Sequence, residues 1–258
     1  MQMIGIDVGG TGIKAAIVET TTGELTTPRV RVETPRPATP KAVARATASI
    51  VAGFPHDVPA GVGFPAVILG GVAKTAANVD ASWIGVQVDA LFAGALDRPL
   101  TVGNDADAAG LAEMRFGAGR GEGGTVLMLT LGTGIGSALF RDGALVPNTE
   151  FGHLQVRGKD AERRAAASIK EQKGLSWQEW GKLLSVYLEA IDALLWPDLV
   201  IIGGGVSKDA DRFIHELPAR VRCVPAALQN RAGIVGAAML AAEAARLTAP
   251  CATAEVAS

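Results

Sequence analysis

Cysteine is nearly missing from this chain: its 258 residues hold only Cys223 and Cys251. Two thiols are too few for a disulfide framework or a thiolate zinc cage, and they fit a reducing cytoplasm. An excess of charge of one sign is missing too. The 24 Lys and Arg stand against 26 Asp and Glu, a formal net charge of −2, which gives no footprint for duplex DNA or an anionic membrane. A polyanion must therefore be met by a local site. No run reaches the ~18 apolar residues that a membrane span needs. No signal-like stretch opens the chain either, because Asp7 and the glycines interrupt its first apolar run. A cytoplasmic protein with no nucleic-acid and no membrane partner is expected. The P-loop pattern, a Gly-Lys-Ser/Thr opening a helix, is also absent.

Apolar residues are abundant at 48%, and 32 residues are glycine. This composition excludes disorder and supplies sizeable cores. The length fits one large α/β domain or two lobes of roughly 100 to 150 residues with a cleft between them.

The glycines fall where chemistry is expected. Met3 to Val8 and Ile13 to Val18 read as a buried strand and its return partner, joined by Gly9-Gly10-Thr11-Gly12. Gly9 and Gly10 lack Cβ atoms, so backbone N–H groups and the Thr11 hydroxyl can approach an anion while Lys14 supplies charge. Asp7, at the strand end, suits a Mg²⁺ ion or its water. The alternative is a plain hairpin with a glycine turn. Thr125 to Leu131 and Ala138 to Phe140 repeat the design around Gly132-Thr133-Gly134. A matched pair of strand-turn-strand units points to a duplicated architecture with two phosphate loops. Gly119 to Gly124 satisfies G-x-G-x-x-G, but a strand follows it where a dinucleotide site requires a helix.

Between these units strands and helices alternate, the mark of an α/β layer. Helices are expected over 41–53, 89–96, 105–116, 209–217 and 232–247, and strands over 58–64, 100–102 and 199–202. Ser176-Trp177-Gln178-Glu179 has capping-box form and opens a helix to Leu195. Gly103-Asn104-Asp105 lies at a strand-to-helix turn, where Asp105 is either a functional carboxylate or merely the helix cap. Gly203-Gly204-Gly205 closes a strand and can let a flat ligand lie against the backbone.

Taken in order, these motifs resemble those of the actin-like sugar kinases, whose fold is a duplicated ribonuclease-H-like α/β unit with a cleft between two lobes. The stretch Leu131 to Gly136, then Gly143, then Glu150-Phe151-Gly152-His153, resembles the signature of the ROK family. Asn78 to Trp83 and Ala232 to Ala238 extend the resemblance over nearly the whole chain. Many family members carry a cysteine-rich zinc segment after the glycine-histidine pair, and none is present here, so no zinc is expected. That zinc-free stretch is similar to the polyphosphate glucokinases of the family. Another branch carries an N-terminal DNA-reading module, which this chain, beginning at the kinase hairpin, is expected to lack.

The resemblance implies a kinase that makes glucose 6-phosphate with Mg²⁺ and either polyphosphate or ATP as donor. It implies Asp105 as general base, and Asn78, Asn104, Asp105, Glu150, His153 and Glu162 as sugar contacts. It places donor phosphates between the Gly9 and Gly132 turns, with adenosine near Gly203 to Gly205. It also implies a homodimer. Arg164-Ala165-Ala166-Ala167 departs from the family pattern, which has a serine after the alanine. Lobes of 1–104 and 105–247 are expected, with a frayed tail over 248–258. Arg157, Lys159, Arg163, Arg164, Lys170 and Lys173 outnumber the nearby acids and read either as a polyphosphate track or as a solvated face. The competing readings are a kinase of another hexose, such as mannose, fructose or N-acetylmannosamine, and a non-catalytic sugar sensor.

Overall fold

The structure, a computed structural model, describes residues 1–76 and 79–248. Asn78 and the tail expected to fray lie outside the described residues, apart from Thr248 itself.

The first half of the chain builds β1 (Gln2–Val8), β2 (Gly12–Glu19), β3 (Glu24–Leu25), β4 (Val30–Glu33), α1 (Pro40–Val51), β5 (Ala60–Phe64), the small hairpin β6 (Ile68–Leu69) and β7 (Val72–Ala73), α2 (Val88–Leu96), β8 (Leu100–Asn104) and α3 (Asp105–Phe116). The second half builds β9 (Thr125–Leu131), β10 (Ile135–Arg141), β11 (Ala144–Val146), the short pair β12 (Gln155–Val156) and β13 (Lys159–Asp160), α4 (Glu162–Ala165), α5 (Ala167–Lys173), α6 (Trp177–Leu195), β14 (Leu199–Gly204), β15 (Cys223–Pro225) and α7 (Ala232–Thr248).

The two large sheets share one topology. Their orders are β3-β2-β1-β5-β8, with β4 also on β2, and β11-β10-β9-β14-β15. In each, a hairpin pairs antiparallel and two further strands add in parallel. Their central strands are buried on both faces, which is why they read as continuous apolar runs and not as alternating ones.

Five layers result. Helices α1 and α2 cover the outer face of the first sheet through Val43, Val51 and Phe92, with Trp83 beside them. α6 covers the outer face of the second, where Trp180, Leu184, Tyr187, Leu188 and Ile191 form a helical stripe against Leu127, Leu129 and Val200. The expected capping box starts that helix: Ser176 Oγ accepts from Glu179 N at 3.2 Å, and Glu179 Oε2 accepts from Ser176 N at 2.9 Å. Trp180 and Tyr187 thus belong to the core. Each buried aliphatic side chain of the stripe contributes about 1.5–3 kcal/mol, and Leu184→Ala would cost about 2–5 kcal/mol.

The middle layer is α3 and α7, lying between the sheets in a core that joins Met3 and Val18 to Met128 and Ile201. α7 follows the second sheet in the chain but packs on β1, β5 and β8 of the first. Glycines make this approach possible. A Cβ at Gly5 would overlap the Ile234 carbonyl, and one at Gly61 the Ala237 carbonyl. Where the two helices cross, a Cβ at Gly236 would overlap the backbone of Ala108.

One expected helix differs. Over 209–217 the chain makes two 3₁₀ stretches, Gly205–Arg212 and Ile214–Glu216, with Asp209 out of helical geometry at φ −110° and ψ 20°. Gly204 at φ 82° starts the segment abruptly, and Pro218 follows it. Between them the backbone leaves helical geometry at Asp209 and again at Phe213, at φ −141° and ψ −15°, which leaves only short pieces of the kind that 3₁₀ turns fill.

Candidate active site

The carboxyl end of β8 carries the central carboxylate. Asn104 is the helix cap: its Oδ1 accepts from Ala106 N at 2.9 Å and Asp107 N at 3.0 Å, and its Nδ2 donates to Ala66 O at 3.1 Å. Capping by Asn104 frees Asp105 from that role, although Asp105 Oδ1 also accepts from Ala106 N at 2.8 Å. Asp105 is half-buried and lines the cleft. Desolvation first, then the charge of Asp7, pushes its carboxyl up to about 7.

Asp105 borders two cavities of about 210 Å³ each. The first is lined by Asn104, Glu150, His153, Glu162 and the turn Gly132-Thr133-Gly134, together with Gly10. The second is lined by Asp7, Lys14, Gln229, Asn230 and Gly233. Asp105, Thr130, Gly204 and Gly205 serve both.

In the first cavity Glu150 and Glu162 flank His153. His153 Nε2 is 3.6 Å from Glu150 Oε2, and its Nδ1 is 3.3 Å from Asp160 Oδ2 and 3.9 Å from Glu162 Oε1. Burial raises the Glu150 carboxyl, while the hydrogen bond from His153 holds Asp160 below its ordinary value. His153, Asp160 and Glu162 lie close enough together to hold a cation, with no cysteine among them. Cys223 is on β15, its thiol pushed up to about 12 by burial. The segment bearing Glu150 is fixed by buried Ser137, whose Oγ donates to Thr149 O at 2.8 Å and accepts from Phe151 N at 3.0 Å.

The turns differ from a simple cradle. Lys14 pairs with Asp7 directly across the strands, Nζ to Oδ2 at 2.8 Å. The Gly9 N–H is spent on Gly12 O at 3.1 Å, and Arg31 Nη2 donates to Thr11 O at 3.2 Å. The second turn is tied to α5, Ser168 N donating to Gly132 O at 3.0 Å and Ser168 Oγ to Thr133 O at 2.7 Å. In the glycine triplet, Gly204 is required by its positive φ and the close Leu131 backbone. Gly203 packs over Met128, and a side chain at Gly205 would meet open space.

The basic segment is partly engaged within the protein: Arg164 Nη2 donates to Arg157 O at 2.7 Å, and the Lys170 ammonium lies 4.3 Å from the Trp177 ring centre. Arg157, Lys159, Arg163 and Lys173 are exposed.

Asp107 and the contacts that Asn148 makes are not legible in the sequence. Asp107 lies buried, accepts from Asn148 N at 2.7 Å, and is pushed up to about 6 by desolvation. Asn148 in turn pairs with both backbone groups of Ile68, at 2.9 and 3.0 Å, joining the loop before Glu150 to the β6 hairpin. Spacing alone gave no sign of these contacts, because each joins segments far apart in the chain.

Known proteins match the chain over most of its length. The ROK family matches residues 3–167. The polyphosphate glucokinase of Mycobacterium tuberculosis (strain ATCC 25618 / H37Rv) is 54% identical over 236 residues, covering 91% of this chain and 89% of that protein. The crystal structure of the inorganic polyphosphate/ATP-glucomannokinase from Arthrobacter sp. strain KM matches with a TM-score of 0.90 at 53% identity, over 92% of this chain and 97% of that one. A ROK family glucokinase from Streptomyces griseus, solved with glucose and AMPPNP, matches with a TM-score of 0.81 at 26% identity, over 94% and 100%. With two like sheets, a carboxylate between two cavities and this extent of match, the chain belongs to the ROK family and has its two-lobed, actin-like fold.

Proposed function

We propose that this chain is a glucokinase that transfers a phosphoryl group from polyphosphate or ATP to the 6-hydroxyl of glucose. The observation that carries the reading is Asp105, a recessed carboxylate with a raised proton affinity that borders a hydroxyl-matching cavity on one side and a Lys14-bearing cavity on the other. Glu150, His153 and Glu162 offer short polar groups of the kind that bind ring hydroxyls in pairs. The remaining N–H of the Asn104 amide is available to the same ligand, and Asn78 completes the proposed set.

In the reaction, Asp105 takes the proton of the 6-hydroxyl as the sugar oxygen bonds to the terminal phosphorus. The bond from phosphorus to the bridging oxygen breaks, leaving ADP or a polyphosphate shorter by one unit. A carboxylate with a pKa of about 7 suits this role, because a large fraction, about half, is ionised at neutral pH while the group stays basic enough to accept the proton. Gly10, Gly132, Thr133 and Gly134, which line the first cavity beside the sugar-matching groups, are proposed together with Gly9 and Thr11 to face the donor phosphates that reach toward the sugar, with Gly203 to Gly205 beside the adenosine of ATP. Asp7 and Asp105 face one cavity as hard oxygen donors, which fits Mg²⁺. Held by Asp7, Mg²⁺ would neutralise charge on the donor oxygens.

Polyphosphate as donor is supported by the name of the Mycobacterium relative and by the exposed bases of the 157–173 segment. The Arthrobacter protein's name supports mannose as a second acceptor. No described helix is long and apolar enough to cross a membrane, and a cytoplasmic location belongs to the same proposal. So does a homodimer, supported by exposed Leu194 and Trp196 at the end of α6; a monomer mass in sedimentation would remove it.

The test is glucose 6-phosphate formation by purified protein with Mg²⁺, given ATP, polyphosphate or neither, across glucose, mannose and fructose. Turnover with glucose is expected with at least one donor. Sugar binding without turnover on any sugar would overturn the reading in favour of a sensor.

A further inference from the structure

We infer that Glu113 is a positioning residue for the donor side of the cleft, holding residues 226–230 as the wall of the cavity that receives the phosphoryl donor. The inference rests on the phosphoryl-transfer reading above.

Glu113 lies in the last turns of α3 and has no accessible surface. Buried carboxylates are costly unless paired or fully hydrogen-bonded. No cation pairs with this one among the described residues. Three backbone N–H groups satisfy it instead: Ala118 N to Oε2 at 2.9 Å, Ala227 N to Oε2 at 3.0 Å and Leu228 N to Oε1 at 2.7 Å. Gly117 leaves the room, since a Cβ there would run into Oε2.

Two of the three donors belong to a distant part of the chain. Ala227 and Leu228 lie in the link from β15 to α7 and lead directly into Gln229, which takes φ 50°, and Asn230. Both of those line the cavity with Asp7 and Lys14. The Ala226 N–H is fixed separately on Ile202 O at 2.9 Å. Among the described residues the carboxylate is thus the side chain that hydrogen-bonds this loop's backbone, which otherwise holds by backbone bonds and by the packing of Ala226 and Leu228 in the central core. An apolar residue at 113 would leave three N–H groups unsatisfied, so the loop would have to move to find other partners. Asp105 begins the same helix, so the helix that carries the proposed base also sets the opposite wall of the donor cavity.

The test compares donor and acceptor constants. Glu113→Gln keeps the shape but turns an NH₂ group toward backbone N–H donors. Its donor KM, and its calorimetric Kd for Mg²⁺-AMPPNP or Mg²⁺-tripolyphosphate, are expected to rise about tenfold or more, with glucose KM and Kd within about twofold. Glu113→Asp, which keeps the charge on a shorter stem, should fall between. A shift of donor and glucose constants together, or of neither, overturns the proposal. A second variant does not depend on Glu113→Gln folding: Gln229→Ala with Asn230→Ala leaves the anchor intact and must raise the same donor constants. Unchanged donor binding in that double variant also overturns the proposal. A wild-type protein that turns over normally alongside such a result spares the kinase reading. A wild-type protein that binds glucose but neither probe removes both.

Discussion

The two strand-turn-strand units match in topology and differ in charge. Asp7 on β1 faces Lys14 on β2, one pair before the turn. The corresponding pair of the second unit is Thr130 facing Gly136. One sheet therefore offers an ion pair where the other offers a hydroxyl and a bare backbone, and both stand at the same cleft. The helices that follow each sheet's last strand also correspond, α3 after β8 and α7 after β15. α3 starts with a carboxylate, whereas α7 starts with Ala232 and Gly233. The duplicated scaffold sets positions, and under the proposed function the asymmetry of charge gives acid-base chemistry to one unit and close backbone approach to the other.

The largest break in that comparison is Asp105→Asn. Turnover should fall about 10²- to 10⁴-fold, with calorimetric glucose binding changed only a few fold. In the unaltered protein kcat/KM should rise as pH rises through about 7, because the carboxyl must be ionised. Its folded-state pKa lies above the ordinary 3.8, so ionisation costs folding stability, and this stability is lost as pH rises from about 4 to about 7. Asp105→Asn lacks that loss. Its Tm relative to the unaltered protein should increase across the same window, and a constant difference would contradict the raised pKa.

Glycine replacement sharpens the comparison next. Gly61→Ala would drive a methyl into the α7 backbone. Gly110→Ala, where α3 meets the second sheet, would meet the Ala138 methyl at 2.7 Å and the Phe140 ring at 2.9 Å. Side chains can yield where backbone cannot. Gly61→Ala should cost more than the roughly 1–3 kcal/mol usual for overpacking, and Gly110→Ala should fall within it, by denaturant titration.

A smaller effect is expected from Lys14→Met, which strips the first unit of its charge pair. Donor KM should rise about tenfold while glucose KM holds. A matching rise in glucose KM would mean that the lysine merely orders the sheet. The smallest effect belongs to Asn104→Ala, which should lower stability by about 1 kcal/mol through loss of the cap. A loss of glucose affinity of tenfold or more in that variant would show that the amide binds sugar as well as capping the helix.

Much of this was legible beforehand because the buried strands are continuous apolar runs ended by glycine. Thr125–Leu131 and the capping box at Ser176 stand where they were read. Residues 209–217 do not form the one helix expected, because their spacing suits a helical face while the backbone breaks at Phe213 as well as at Asp209. Glu113 was invisible for a different reason. A glutamate inside a helical pattern looks like a solvated residue, and only the return of residues 226–228 buries it. Contacts between segments that meet only in the fold, such as Asn148 with Ile68, leave no periodic trace.

The crossing of α3 and α7 bears on how such a cleft can open. With Gly236 against the Ala108 backbone, the helices meet at close contact, and a relative movement of the lobes about that point would be a swivel. Asp105 stands about 4.5 Å along the helix axis from Ala108, at 1.5 Å per residue. A group so near the axle travels little while the rims of the lobes travel far. Opening and closing about that point would therefore change the water around Asp105 more than its position, so the proposed proton acceptor would stand in place before either substrate arrives.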